Sequence, residues 1–448
     1  MRYLSILLCF FQCCHATAID PMRQGNLDGV NDWHATNMAE AATNTDIELL
    51  PRIRIDKSTR TVSFYAEATG LDARDPIEFF LIGEDSGNGY ESIAVALARP
   101  EDIANAILKI GLIEGRSANP SAMQFWPMGE RVVMTFNGRR AEQLLLDSRT
   151  GTMLPPSGLV FTGSTKVPSP DDTNRMVIAA QVKHPYSIAA NYNEPGSILD
   201  VPWQAAQAAV YARQTQNPEF LFKPGERLLV EIRPEYTDGR KRVQTFTLQM
   251  SAPSAEASLA DALFSLSSLD GNQTVLNPVP IDQLLAAFSR MVDDGIDPFV
   301  NLRIGADVPL QIVAHAAAIL KRIDADKGIR MEPPTAGDLY YQAFTPNETL
   351  RNRHERFMQP WELDIGHDGT NTLKRIDETW KQGVMKPEIT VTDIPVSTPE
   401  ALKTILTTQT PDTRAIFVFA PPSLTYGRLM DLLTPVLSSH PQIHIYLK

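Results

Sequence analysis

The chain has 448 residues, 43% of them hydrophobic and 8% aromatic, which is enough to build substantial cores over roughly two to four domains. Its 53 acidic and 41 basic residues give a formal charge of −12, which argues against nucleic acid as a partner. All three cysteines (Cys9, Cys13 and Cys14) lie in the first fourteen residues, so the rest of the chain can form no disulfide, thiolate nucleophile, cysteine zinc site or iron–sulfur cluster.

The elements follow in chain order. Arg2, an apolar run over 4–11 and the small residues Ala16-Thr17-Ala18 have the pattern of a cleavable export signal over 1–18. The run is too short to span a bilayer, and no later stretch approaches the roughly 20 apolar residues a membrane helix needs. The expected product is therefore a periplasmic protein that does not span the membrane after signal cleavage. Residues 19–48 show neither helical nor strand periodicity and are expected to form a flexible leader.

A strand-rich domain is expected over 49–250. Ile53 and Ile55 alternate with charged residues, Lys57-Ser58-Thr59-Arg60 turns the chain, and Val62, Phe64 and Ala66 alternate again, which is a hairpin signature. Further strands are expected at 77–82, 90–95, 131–136, 159–162, 176–182, 227–233 and 242–250, the last two joined across Asp238-Gly239. Pro100, Ile103, Ile107 and Leu108, stopped by Gly111, mark an amphipathic helix, and a second is expected at 204–213.

An Ala- and Ser-rich linker is expected over 251–270, followed by two copies of an alternating helix and strand pattern. In the copy at 271–335, a helix carries Leu284, Leu285, Phe288 and Val292, a strand covers 299–304, Pro309 opens a second helix, and 329–331 closes the unit. In the copy at 387–448 the counterparts are Leu402, Ile405 and Leu406; 415–420; Leu429, Met430, Leu433 and Leu437; and 443–447. The charged, aromatic stretch 336–386 reads as a connector. The fold class expected is α+β: a strand-rich N-terminal domain followed by two small α/β modules of β-α-β-α-β type.

Two resemblances accompany this reading. Tyr90-Glu91-Ser92, Arg99-Pro100-Glu101-Asp102-Ile103, Phe125-Trp126-Pro127, Gly129-Glu130-Arg131-Val132, Val160-Phe161-Thr162-Gly163-Ser164 and His184-Pro185-Tyr186-Ser187 together resemble the bacterial YdjY domain. This implies an exported or envelope-associated fold and no particular activity. Some members are described as ferredoxin-like, and the lack of cysteine after residue 14 departs from any cluster-binding version. Phe299-Val300-Asn301-Leu302-Arg303 leading through Asp307 and Pro309 into a helix, with Phe417-Val418-Phe419 leading to Tyr426-Gly427-Arg428-Leu429-Met430-Asp431, looks like the periplasmic domain of ExbD/TolR-type proteins. The resemblance implies partner or cell-wall binding, with ExbB/ExbD-type motor components as candidate partners. The membrane helix of that family has no counterpart, so only the binding role carries over.

The candidate ligand-binding residues are Glu91, Ser92, Trp126, Ser164 and His184. A carboxylate and a hydroxyl at a strand end, a small-residue turn able to present amides, and a His before Pro are groups that could serve a pocket, although each also reads as ordinary structure. Trp126 in a Pro-Gly loop needs a cover, from its own core or from a partner. Arg353, Trp361 and Tyr426 are the candidate interaction residues, Trp361 as a pin between the repeats or a partner contact. No catalytic residue, metal or cofactor is assigned. The histidines form no HxxxH or HxH array, His367-Asp368 beside Asp364 reads as a solvated loop, and nucleophile elbow, phosphate loop and dinucleotide fingerprint are all absent. The function expected is that of an exported, non-catalytic envelope scaffold or adaptor. The alternative is a small-ligand binder or enzyme with its site in the YdjY-like domain.

Overall fold

The computed structural model describes residues 21–119, 124, 126–211, 213–236, 243–327, 330–332, 360–381, 387–408, 414–440 and 443–448. The expected signal peptide and Arg353 lie outside them.

Alternating apolar residues build a closed barrel. In β3 (Thr61–Ala68) the buried side chains include Val62, Phe64, Ala66 and Ala68, and in β15 (Arg227–Pro234) Leu228, Val230, Ile232 and Pro234. Such a strand fits a sheet with one face on a core. The remaining barrel strands are β4 (Phe79–Ile82), β5 (Ser92–Ala96), β6 (Arg131–Phe136), β9 (Leu159–Phe161), β12 (Ser187–Ala190) and β13 (Leu199–Asp200). They run in the order β3-β15-β6-β9-β13-β12-β4-β5, and β5 pairs back onto β3 through Ala66 and Ala96, so eight strands close a ring. Closure leaves these strands no free edge. The pairs β4–β5 and β12–β13 are parallel, and the other neighbours antiparallel.

The hairpin β1 (Ile47–Leu50) and β2 (Ile53–Asp56) extends from β3, and β7 (Arg139–Arg140) flanks β6. Two small ribbons pair β8 (Leu145–Asp147) with β14 (Gln214–Gln216), and β10 (Lys166–Pro168) with β11 (Met176–Ile178). Helix α2 (Pro100–Lys109) buries Ile103, Ala104, Ala106 and Ile107; Ile103 and Ile107 are on the expected apolar face, whereas Leu108, expected with them, is exposed. The short helices α3 (Ala179–Val182) and α4 (Gln207–Val210) complete the region, the latter one turn where ten residues of helix were expected.

The expected leader is instead helix α1 (Pro21–Ala41). Val30 and Asn37 are buried, the Trp33 ring meets Tyr65 edge-on at 5.2 Å, and Asn26 donates to Glu67 at 2.7 Å. Arg23 pairs with Glu67 and Glu84. The helix docks by a few residues spaced three and four apart rather than by a continuous stripe, so its sequence lacks the periodicity that would have disclosed it.

Two five-stranded sheets follow. The first orders as β18-β17-β16-β19-β20, from β16 (Val243–Ser251), β17 (Leu263–Ser268), β18 (Thr274–Val279), β19 (Asp297–Ile304) and β20 (Arg330–Glu332), with α5 (Ile281–Asp293) and α6 (Leu310–Lys327) as crossovers. The second orders as β23-β22-β21-β24-β25, from β21 (Trp361–Ile365), β22 (Asn371–Thr379), β23 (Glu388–Val396), β24 (Ile416–Ala420) and β25 (Ile443–Leu447), with α7 (Pro399–Thr407) and α8 (Tyr426–Leu433). Each sheet opens with an antiparallel meander and adds two parallel strands across helices. Connectivity is the same in both, β-β-β-α-β-α-β rather than β-α-β-α-β.

The unit boundaries therefore shift from those expected. Strand β16 does not form a hairpin with β15; it pairs with β17 and, in parallel, with β19, and so belongs to the first module. The expected linker contains β17, and the expected connector contains β21 and β22. The two modules face each other across their strand-to-helix loops. Leu310 N donates to Leu424 O at 2.9 Å and Tyr426 N to Val308 O at 2.8 Å; Gln311 N donates to Pro422 O at 3.0 Å and Gly427 N to Ala306 O at 2.8 Å. Each bond has its mirror with the partners exchanged, which is the signature of a two-fold arrangement.

Candidate functional site

Strands β4 and β5 run parallel, and a carboxylate stands just before each: Glu78 before Phe79, and Glu91 before Ser92. Their backbones are joined by Glu78 N donating to Glu91 O at 2.8 Å. The return loop 83–91 between the strands carries Asn88 and Tyr90. Asn88 donates through Nδ2 to Glu91 Oε1 at 2.6 Å, and its Oδ1 lies 2.8 Å from His184 Nε2. With the amide group committed to the carboxylate, Asn88 has only an acceptor left for the imidazole, so His184 carries a proton on Nε2. Glu78 accepts from Gln207 Nε2 at 2.8 Å through Oε2.

Glu91 is only 6% exposed and Glu78 1%. Burial first, and the neighbouring Glu78 charge second, raise the Glu91 carboxyl above its ordinary value, against the opposing influence of the Tyr90 hydroxyl, the bond from Asn88 and the charge of His184. The Tyr90 hydroxyl is held above the usual phenol value, first by the Glu91 charge and then by burial, with smaller contributions from Glu78 and Tyr211.

Two of the five sequence-derived ligand residues, Glu91 and His184, thus come together through Asn88. The other three do not. Ser92 is buried in β5 with its hydroxyl on Ala94 O at 3.1 Å. Ser164 donates to Gly196 O at 2.7 Å and accepts from Ala180 N at 3.1 Å, fastening loops together. Trp126 is buried in the hydrophobic cluster of the two modules, alongside Phe299 and Leu302. Asn88, Glu78 and Gln207 were missed because amides and a carboxylate inside a strand-rich stretch carry no spacing signal. Of the interaction candidates, Trp361 is a core residue of the second module under the Arg414 guanidinium at 4.3 Å. Tyr426 opens α8 at the seam that pairs the modules, its backbone N donating to Val308 O.

A second feature lies where the barrel meets the first module. A cavity of about 360 Å³ is lined by Arg60, residues 111–115, Glu130, Arg131, Tyr236 and Thr245, among others. The same junction holds the ion pair between Arg131 and Asp297, and Arg116, whose guanidinium lies 5.7 Å from the Phe299 ring centroid. Burial pushes Arg116 down to about 10, which leaves it charged at neutral pH. Both cavity arginines are already engaged, Arg60 on Ile110 O and Arg131 on Ser157 O and Asp297. Among the described residues no group of three or more His, Cys, Asp or Glu is placed to hold a metal ion, and no helix is long and apolar enough to cross a membrane.

Comparison with known proteins gives one family. Residues 53–196 match the model of the YdjY domain. The match begins at β2 and ends before β13 and β15, so closing the barrel takes strands beyond it. No curated protein matches the chain. A solved structure, that of the Aquifex aeolicus PPX-GPPA enzyme, is 11% identical over 40% of this chain and 68% of its own, with a TM-score of 0.14 that carries no argument.

Proposed function

We propose that the protein is an exported, non-catalytic adaptor of the bacterial envelope that holds an extended segment of another envelope protein on the second module. The observation that carries this reading is the outer strand β23. It pairs with β22 in unbroken register over nine residues, and its other edge has no strand partner among the described residues. Ile389 is 60% exposed and Val391 55%. A long regular edge with apolar side chains is the feature natural proteins usually blunt, and one that strand addition uses, with main-chain hydrogen bonds giving affinity. The counterpart strand β18 is shorter and its register slips twice, which makes it the poorer template. The ExbD/TolR-like reading of the modules, periplasmic location and ExbB/ExbD-type partners belong to this proposal.

Placing a photo-crosslinking residue at Val391 and another at Val275 in β18 tests it. Covalent capture of one envelope protein at Val391, absent at Val275 and abolished by Ile389→Lys, is the expected result. Ile389→Lys should change stability by no more than about 0.5 kcal/mol, as an exposed edge position. Equal capture at both strands, or none, would overturn the strand-addition reading.

A second reading, a small-ligand binder in the barrel domain, is favoured by the Glu91–Asn88–His184 connection beside the buried Glu78.

A further inference from the structure

We propose that the segment held on β23 is a short extended stretch with apolar side chains at alternate positions and a basic side chain at the end that meets Asp393. The inference rests on the strand-addition reading above and gives the partner a chemical class.

Which main-chain groups of β23 face the open edge follows from the bonds on the far side of β22. At the β21–β22 turn Gly366 N donates to Thr370 O at 2.7 Å, and the Ile376 carbonyl accepts from Arg414 Nη1 at 3.4 Å. Successive residues of a strand turn their main-chain groups to opposite sides, so Thr372, Lys374, Ile376 and Glu378 all turn away from β23. Their partners in the register are Pro395, Asp393, Val391 and Ile389. These four therefore occupy the non-hydrogen-bonded positions of the ladder and turn their own main-chain groups outward. Pro395 agrees, since a proline leaves a ladder intact only where its nitrogen faces away from the neighbouring strand. An incoming strand meets amide donors at Ile389, Val391 and Asp393 and none at Pro395, which limits the recognised stretch to 389–393.

The side chains of Ile389, Val391 and Asp393 share one face of the sheet, because side chains alternate along a strand. Across the ladder Ile389 lies opposite Glu378, Val391 opposite Ile376, and Asp393 opposite Lys374. All three of these β23 residues are exposed. An added strand sets one side chain directly against each of them. Apolar side chains against Ile389 and Val391 remove that surface from water, and Val391 then continues a row begun by Ile376. Against Asp393 a base completes an alternating row with Lys374 on the other side, whereas an acid would stand beside a like charge. The opposite face selects less, since Glu388 is already paired with Lys381 at 2.7 Å and Thr390 and Thr392 present hydroxyls. The formal charge of −12 favours approach of a basic segment over an acidic one.

Calorimetric titration of the full chain with acetylated, amidated peptides tests the proposal. The probes are Lys-Thr-Val-Thr-Val, its reverse Val-Thr-Val-Thr-Lys, the acidic Glu-Thr-Val-Thr-Val, and Val-Val-Lys-Thr-Thr, which keeps the composition and loses the alternation. One lysine peptide should bind, the first if the strand adds antiparallel and the second if parallel; either order supports the assignment. The acidic peptide should bind about two- to fivefold more weakly and the scrambled one about tenfold more weakly. Asp393→Asn should erase the preference for lysine over glutamate without moving the melting temperature, since the position is exposed. Methylating the peptide nitrogens that face β23 should abolish binding, and methylating the alternate ones should be tolerated. If that alternation holds while the acidic or scrambled peptide binds as well as the lysine peptide, strand addition stands and the side-chain assignment falls. If no peptide binds but Val391 still crosslinks to an envelope protein, the assignment again falls alone. If methylation is tolerated at both sets of nitrogens, or peptide binding and crosslink both fail, the strand-addition reading falls with it.

Discussion

The two carboxy-terminal modules share one connectivity and are dressed differently. The first is built into its neighbour: Trp126 is buried in the shared cluster with its Phe299, Arg116 covers the same ring, and Asp297 at the start of β19 pairs with Arg131 of the barrel. The second keeps a nine-residue regular edge with Ile389 and Val391 exposed. One topology thus serves once as an internal mount and once as an outward surface. The difference lies in a handful of side chains, which a fold comparison alone would miss.

The largest way to break the comparison is to unseat the first module. Asp297→Ala leaves the mostly buried Arg131 charge without that carboxylate, and removing one partner of a buried pair costs about 3–5 kcal/mol. A drop of that size in urea unfolding of the barrel and first module, with native exchange protection kept in β21–β25, is expected. Equal loss in both modules would show that the ion pair is not what separates their roles.

A smaller effect is expected at the seam between the modules. A Cβ on Gly427 would stand 2.8 Å from the Ala306 Cβ and 2.9 Å from its carbonyl oxygen, closer than real side chains pack. Gly427→Val should cost about 1–3 kcal/mol through overpacking and increase the distance between labels placed on α6 and α8. The two-fold-related position is occupied by Gln311, which already carries a side chain, so Gln311→Ala should leave that distance unchanged.

The smallest effect sharpens the contrast between barrel and modules. Asp200 on β13 is fully buried, and burial raises its carboxyl well above the ordinary value despite the bond from Asn193. Between the unfolded value of about 3.9 and the raised folded one, the folded chain holds a proton the unfolded chain has released. Folding therefore binds protons, and this group's contribution makes barrel stability fall as pH rises through that window. Asp200→Asn should flatten the fall, read as an unfolding midpoint higher than that of the unmutated chain at about pH 8 and little changed at about pH 4.

How much of this was legible depends on whether burial leaves a period in the sequence. Strand β3 places its buried apolar residues at every second position and was read correctly, as were α2, α5 and the helices and strands that close each module. Strand β21 also alternates, Trp361, Leu363 and Ile365 buried with Glu362 and Asp364 between them, but the charges led it to be read as connector. Strand β22 offered less, since only Leu373 is buried. The pairing of β16 with β19 was hidden because a strand's own pattern does not name its neighbour; the nearby Asp238-Gly239 suggested a hairpin with β15 instead. At the site, Glu91 and His184 were chosen for their chemistry, while Asn88, which joins them, became visible only when loop 83–91 folded back along β4.

The two-fold seam has a consequence for how the protein assembles. As separate chains, two such units would meet only as often as their concentration allowed, and dilution would part them. Tethered in one polypeptide, each meets the other at a fixed local concentration, so their association no longer depends on abundance. The tether also frees the halves to diverge, because a change in one is not copied into its mate as it would be in a homodimer.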